Sequence, residues 1–359
     1  MILLYRIFFP FIFLFFLPGL VVKLIRRPGR KKNYMERFGI FSAERKKALS
    51  GMRGAVWIHA VSVGETNVAL SLLKKWIAEY PDRKFVFSTT TTTSQEIAWN
   101  KVPAGVEVFF CPVDMGFLVR RVLRMVRPSA LVIFETEIWP NMVLLTKKSG
   151  AKVFLVNARL SDRSIRGYRR FRAFFAPVLS AFDRIGVQTE LDRERFLSVA
   201  PEAKAAVTGN IKFDQCPPAD LKGIDLAEFF GQDFISLLAC STHAPVEKLM
   251  LDSFLAARKH CPKLKFVIVP RHAERGNELE EMLKASGVRY YRRTSKKPLG
   301  GTVDCLLADT TGELVRFIKS SDIVLMGKTF AGNDEGQNII EPAQMGKTII
   351  TGPEMKNFR

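Results

Sequence analysis

The stretch Ala55 to Thr66, AVWIHAVSVGET, narrows most sharply what this chain can fold into. It opens as an apolar run, Ala55 to Ile58, and passes into Ser62, Gly64 and Glu65. The period then changes, because Val68, Leu72, Leu73, Trp76 and Ile77 recur at helical spacing. A strand therefore turns into a helix within a few residues. In α/β folds such a junction aims backbone N–H groups and one side chain at a ligand. Gly64 permits close approach. Glu65 has two readings. A carboxylate in a first helical turn is favoured by the helix dipole, by tenths to about 1 kcal/mol. At the carboxyl edge of a sheet it can also act as a general base.

The same alternation continues along the chain. Apolar runs at 55–60, 85–88, 106–110, 130–134, 153–157 and 185–187 read as short buried strands. Amphipathic segments at 66–79, 93–100, 116–126, 139–148 and 190–199 read as helices. Residues 208–234, rich in Gly, Pro and Asp, are expected to be a linker. A second series follows, with strands near 235–239, 265–269, 288–291, 303–307, 323–326 and 348–350. Its helices are expected near 245–260, 275–285, 311–320 and 338–345. The expectation is two doubly wound α/β domains, 54–207 and 235–359, with a cleft between them.

Residues 1–22 are almost wholly apolar, with one charge, Arg6, and two prolines, Pro10 and Pro18. A full span needs roughly 20 apolar residues, so this segment either spans with its flanks or lies shallowly as a hairpin or interfacial anchor. Residues 23–53 are basic, with Glu36 and Glu44 as their acids. A basic excess after the apolar run keeps the body cytoplasmic and suits anionic head groups. A cleaved signal peptide would need charge before the run and small residues at its end. The net charge of +20, from 55 Lys+Arg against 35 Asp+Glu, asks for an anionic partner. Five cysteines without a CxxC pair read as buried thiols. The four histidines show no HxxxH or HExxH spacing, so no metal site is expected.

Several constellations fall after strands. Glu135 and Glu137 follow the run Ala130 to Phe134, and Glu137 could instead cap the helix opened by Pro140. Asn157 to Arg172 holds six arginines against Asp162 with interleaved aromatics, which suits anionic lipid better than RNA. Lys212 and Arg271 can reach a phosphate. Ser241 and Thr242 are natural N-caps at a helix start that could also hold an anion. The loop 327–342 is expected to present a helix N-terminus after residue 328 that could meet a phosphate; it leads to Asn338 and Glu341, and a buried carboxylate there could accept ribose hydroxyls.

Together HAVSVGE (59–65), FETEIWPN (134–141), NARLSDRS (157–164), TGNIKFD (208–214), STH (241–243), PRH (270–272) and GQNIIEP (336–342) resemble the Kdo transferases, inner-membrane enzymes of lipopolysaccharide core synthesis. The resemblance implies a GT-B glycosyltransferase with two Rossmann-like domains and an N-terminal membrane anchor, its body on the cytoplasmic face. It implies inverting transfer of Kdo from CMP-Kdo to a lipid A precursor, lipid IVA, with no cofactor and no active-site metal. Glu65 matches the general base and Glu135 a second essential carboxylate. Lys212, Ser241, Thr242, Arg271, Asn338 and Glu341 match the donor-nucleotide side. Partners would be CMP-Kdo, the lipid A precursor and anionic inner-membrane lipid, with no nucleic acid. Gly327-Lys328 and Gln337 depart from the glycine pair and histidine of many relatives. The chain stops at Arg359, where relatives continue, so a shortened C-terminal domain is expected. The competing classes are a non-catalytic membrane-tethered binder of anionic lipid or RNA, and a GT-B transferase using another nucleotide sugar.

Overall fold

The computed structural model describes residues 1–26, 33–214, 220–330, 336, 338–353 and 355. Arg27, Arg30, Lys31 and Lys32 of the basic segment, Cys216, and Gln337 of the last loop lie outside the described residues. The chain divides into two compact units, Met1–Gln215 and Cys216–Arg359.

The first unit runs α1 (Ile2–Arg26), α2 (Ala43–Gly51), β1 (Val56–His59), α3 (Val63–Glu79), β2 (Phe85–Thr89), α4 (Thr92–Lys101), β3 (Glu107–Phe110), α5 (Gly116–Val126), β4 (Ala130–Phe134), α6 (Pro140–Lys148), β5 (Lys152–Ala158), α7 (Asp162–Arg170), α8 (Arg172–Ser180), β6 (Arg184–Val187), α9 (Glu190–Val199) and β7 (Ala205–Val207). Its seven strands are parallel and ordered β3-β2-β1-β4-β5-β6-β7. The order reverses between β1 and β4, which pair from Val56↔Ala130 to His59↔Ile133. Ligands of open α/β sheets bind outside the carboxyl ends of the strands at such a reversal. The strand runs are apolar because helices cover the sheet: Trp57, Phe109, Ile133 and Leu155 are fully buried on one side, Ile58, Phe87 and Phe134 on the other. A cavity of about 810 Å³ also runs along β4, β5 and β6 beside α3, between Trp76, Phe154 and Ile211.

The second unit runs α10 (Ala227–Phe230), β8 (Ile235–Thr242), α11 (Val246–Arg258), β9 (Leu264–Pro270), α12 (Gly276–Ser286), β10 (Tyr290–Arg292), β11 (Cys305–Leu307), α13 (Leu314–Ser320), β12 (Ile323–Met326), α14 (Ile340–Gln344) and β13 (Thr348–Ile350). Its parallel order is β10-β11-β9-β8-β12-β13, with the reversal between β8 and β12. The described cysteines are free; Cys111, Cys240 and Cys305 are buried and Cys261 is half-buried.

Four local expectations give way. The N-terminal segment is one helix through Pro10 and Pro18, not a hairpin; each proline removes a hydrogen bond without ending the turn. Ser241 and Thr242 do not cap a helix. β8 continues through Thr242, Ser241 turns the chain at φ 53°, and α11 starts behind Pro245 without a side-chain cap. After Gly327 the described residues form a single 3-10 turn, so the helix N-terminus expected after residue 328 is not found among them. Finally, β7 pairs with β6 at the very end of the expected first domain, 54–207, where no strand was read. It is three residues long and largely exposed, so it carries no apolar run.

Candidate active site

Helix α3 begins at Val63, so Glu65 falls in its first turn. Ser62 and Glu65 cap each other. Ser62 Oγ accepts from the Glu65 N–H at 3.2 Å and donates to Glu65 Oε1 at 2.8 Å. The Val61 N–H donates to Glu65 Oε2 at 2.8 Å. This reciprocal cap follows from Ser-x-x-Glu spacing and is worth about 1 kcal/mol. It also fixes a buried carboxylate at the end of β1, 6% exposed. Burial raises the Glu65 pKa above the usual carboxylate range, against the opposing pull of the Val61 and Ser62 hydrogen bonds, and the Glu135 charge adds to the rise. Each oxygen retains a second lone pair, so the group can still accept a proton.

Glu135 lies at the end of β4, beside β1. Its φ of 54° is left-handed, a conformation that costs a non-glycine residue about 1 kcal/mol or more. The Glu135 N–H donates to Val156 O at 2.9 Å, which holds the turn. Lys212 Nζ donates to Glu135 Oε1 at 3.2 Å. Asn157, also left-handed at φ 59°, accepts from the Ile211 N–H at 3.1 Å through Oδ1. The motifs at 134–141, 157–164 and 208–214 thus converge on one edge of the first sheet. Lys212, expected on the donor-nucleotide side, belongs to the first unit and neutralises Glu135 there.

Glu137 completes the cluster. Burial, then the charges of Glu65 and Glu135, push its pKa up to about 7. It does not cap α6. Asp114 does so, accepting from the Asn141 and Met142 N–H groups at 2.8 Å each. Burial outweighs those bonds and pushes Asp114 up to about 6. Tyr168 of α7 rises to about 12 through burial and then the Glu137 charge. Three carboxylates facing one another cannot all ionise cheaply, so the edge holds a proton near neutrality and can take or give one.

In the second unit the reversal point gathers Ser241, Thr242, His243, Arg271 and Lys328. A side chain at Gly327 would come within 2.7 Å of the Cys240 and Ser241 carbonyl oxygens, so glycine is required for β12 to meet β8. The Arg271 N–H donates to Thr242 O at 3.0 Å and its side chain is exposed. Burial lowers the His243 pKa, and the Lys328 charge adds to the fall. The His243 and His272 rings lie edge to face, 5.9 Å apart. Asn338 Oδ1 accepts from the Ile340 N–H at 3.1 Å. Burial raises Glu341, opposed by a bond from Asn338. Arg271 and Glu341 both act on the Cys240 thiol. Cations and small polar groups therefore surround one sheet end. Among the described residues, no group of three or more His, Cys, Asp or Glu could hold a metal ion.

Sequence reasoning placed Glu65 and Glu135 at strand carboxyl ends on one sheet edge; that their strands β1 and β4 are neighbours is a finding of the structure. It left Glu137 open between a functional carboxylate and a helix cap. It gave no role to His243 and His272, which lie inside the STH and PRH motifs, or to Lys328, which it read only as a departure from the relatives' pattern. It missed Asp114, for which no sequence signal exists, since it caps a helix 27 positions downstream.

A family model described as 3-deoxy-D-manno-octulosonic-acid transferase (kdotransferase) matches residues 32–215. The 3-deoxy-D-manno-octulosonic acid transferase of Chlamydophila psittaci is 30% identical over 99% of this chain and 81% of its own. That of Haemophilus influenzae is 29% identical over 93% and 78%. Among solved structures, a glycosyltransferase from Rickettsia africae superposes with a TM-score of 0.54 at 12% identity, covering 83% of this chain and 78% of its own. That last likeness is one of fold, and the architecture is GT-B.

Proposed function

The chain belongs to the 3-deoxy-D-manno-octulosonic acid (Kdo) transferase family and is a glycosyltransferase, and from that premise we propose that it moves Kdo from CMP-Kdo to a lipid A precursor, lipid IVA, with inversion, at the cytoplasmic face of the inner membrane. The observation that carries the reading is the placement of Glu65 and Glu135 on the adjoining ends of β1 and β4, where the strand order reverses. Glu65 takes the proton from an acceptor hydroxyl. The hydroxyl oxygen attacks the anomeric carbon of Kdo on the face opposite the phosphate. The carbon–phosphate oxygen bond breaks, and CMP leaves with the electron pair. Glu135, held by Lys212, orients the acceptor, and Glu137 keeps the cluster from reaching full negative charge. At the second sheet's reversal point, Arg271 and Lys328 meet the phosphate charge as it develops, and Glu341 with Asn338 receives ribose hydroxyls. The reading has no metal-dependent step. Anionic donor and acceptor account for the basic chain.

The test is transfer from freshly generated CMP-Kdo to lipid IVA by wild type and Glu65→Ala, with the lipid product weighed by mass spectrometry. Sugar addition by wild type and its loss in the variant support the assignment. Thermal stabilisation by UDP but not by CMP would point to another nucleotide sugar. RNA binding that ignores Glu65→Ala and falls with salt would point to a non-catalytic binder.

A further inference from the structure

Helix α1 is long and apolar enough to span a membrane: Ile2–Gly19 has a mean hydropathy of 2.0. Its contacts contradict a span. Ile2, Tyr5, Phe9, Pro10, Phe13 and Leu17 are half-buried, a spacing of three to four that lays one stripe along the first unit. Tyr5 packs on Phe174 of α8 with ring centroids 5.5 Å apart, and Phe13 on Phe38 at 6.2 Å. Two polar bonds pin the stripe. Tyr5 Oη donates to Asp114 Oδ2 at 2.8 Å, and Arg6 Nε donates to Asn141 Oδ1 at 2.8 Å. If α1 crossed the bilayer with the body on the side of its C-terminus, Tyr5 and Arg6 would sit in the far leaflet. They sit instead on the helix cap beside the ETE loop. The opposite stripe of α1 is bare and apolar: Leu3, Phe11, Phe15 and Phe16 are each 66–79% exposed.

Beside this stripe lies a cavity of about 230 Å³ between Arg6, Pro10, Asp114, Phe117, Arg120 and Asn141. Arg120 folds back over Gly116, where a side chain would come within 3.4 Å of its guanidinium. The Asp114 oxygens are already engaged by the Asn141 and Met142 N–H groups and by Tyr5. Two guanidinium groups thus face a small cavity next to an exposed Phe117, itself 64% exposed. Apolar surface with cations at its rim matches an anionic leaflet in charge and in polarity.

We propose that α1 lies in the plane of an anionic lipid leaflet, with both its ends on the side that carries the body, and that the Arg6–Arg120 cavity seats a lipid phosphate. The proposal rests on the membrane association in the functional reading and refines its topology. Asp114, bonded to α1 through Tyr5, is also the cap of the helix that follows Glu135 and Glu137, so the leaflet contact and the site share one buried group.

The full chain, carrying protease-cleavable tags at both termini, is added to preformed phosphatidylglycerol vesicles. After flotation, protease is added outside. Equal cleavage of both tags is the expected result. Cleavage of the C-terminal tag with protection of the N-terminal one would overturn the in-plane helix. Failure to float at all would sink the membrane association itself. Arg120→Glu is expected to weaken binding to these vesicles about tenfold, and the charge-matched control Lys75→Glu on α3 to change it little. An equal loss in both variants would show that net charge, and not the cavity, is responsible, and would remove the phosphate seat.

Discussion

Carboxylates in the frame of the second unit and at the carboxyl edge of the first sheet live under opposite conditions. In the frame of the second unit the buried Asp304 and Asp309 and the half-buried Glu313 are answered by arginine or lysine, whereas Glu341, at the sheet end, meets Asn338. Asp304 meets Arg258 and Lys265 at 2.7 Å and Arg289 at 3.1 Å. Glu313 takes a two-pronged Arg293 contact at 2.7 and 2.8 Å. Asp309 accepts from Arg292 at 2.6 Å and from Thr294. Burial alone would raise these acids, but their cations hold Asp304 at about 2, and the Arg293 bond is the largest influence holding Glu313 at about 2. At the edge of the first sheet Lys212 bonds Glu135, while burial raises both Glu65 and the half-buried Glu137, and the Glu135 charge adds to each. Compensated acids tie strands and helices together. Acids raised by burial keep a proton to higher pH, and groups perturbed in that way cluster at functional sites.

The contrast can be broken from either side. The largest expected effect is on turnover: Glu65→Gln should lower Kdo transfer by about 10²–10⁴-fold, with unfolding shifted by only about 1 kcal/mol for the altered cap. A loss of structure by circular dichroism would instead make Glu65 a structural cap. Next comes Asp304→Ala, which leaves the half-buried Lys265 and Arg258 without their carboxylate and should cost about 3 kcal/mol of stability, seen as an early thermal transition, with CMP still bound by the molecules that remain folded.

A third prediction uses pH. Glu137 has a folded pKa raised to about 7. Its contribution to stability is present below the ordinary carboxylate pKa and is lost as pH rises through about 7. Asp304 and Glu313, lowered to about 2, contribute stability above that ordinary range, lost as pH falls toward 2. Glu137→Gln should therefore melt higher than wild type at pH 8, by roughly 1–3 kcal/mol, with the gap closing at pH 4.5. A gap independent of pH would show that Glu137 does not carry the site's proton. The smallest effect is expected of Ser62→Ala, which should cost about 1 kcal/mol and displace the pH profile of transfer upward, because a donor to the Glu65 carboxylate is lost. An unmoved profile would mean that the cap does not tune the base.

Much of this was legible in the chain itself. The run AVWIH followed by SVGE predicts both the strand end and the first-turn carboxylate, because turn chemistry and helix caps act over three or four residues. The positions of Glu135 after β4 and Arg271 after β9 follow from the same local rule. Ser241 shows its limit: a good cap residue after an apolar run stays in the strand when β8 pairs on to Pro270. Lys212 shows another, since nothing near it in sequence names Glu135 as its partner, 77 positions away.

The sequence by itself determined the order of strands and helices, the two series and the edge on which the acidic and basic motifs fall. Periodicity and turn preference are local, and burial of the apolar runs follows from them. Only the tertiary structure decided which carboxylate keeps a proton, that Asp114 caps α6, and that α1 turns Tyr5 and Arg6 toward the body and its phenylalanines away. Those outcomes depend on burial and on charges and hydrogen bonds that join residues up to 135 positions apart, quantities that a linear pattern does not contain.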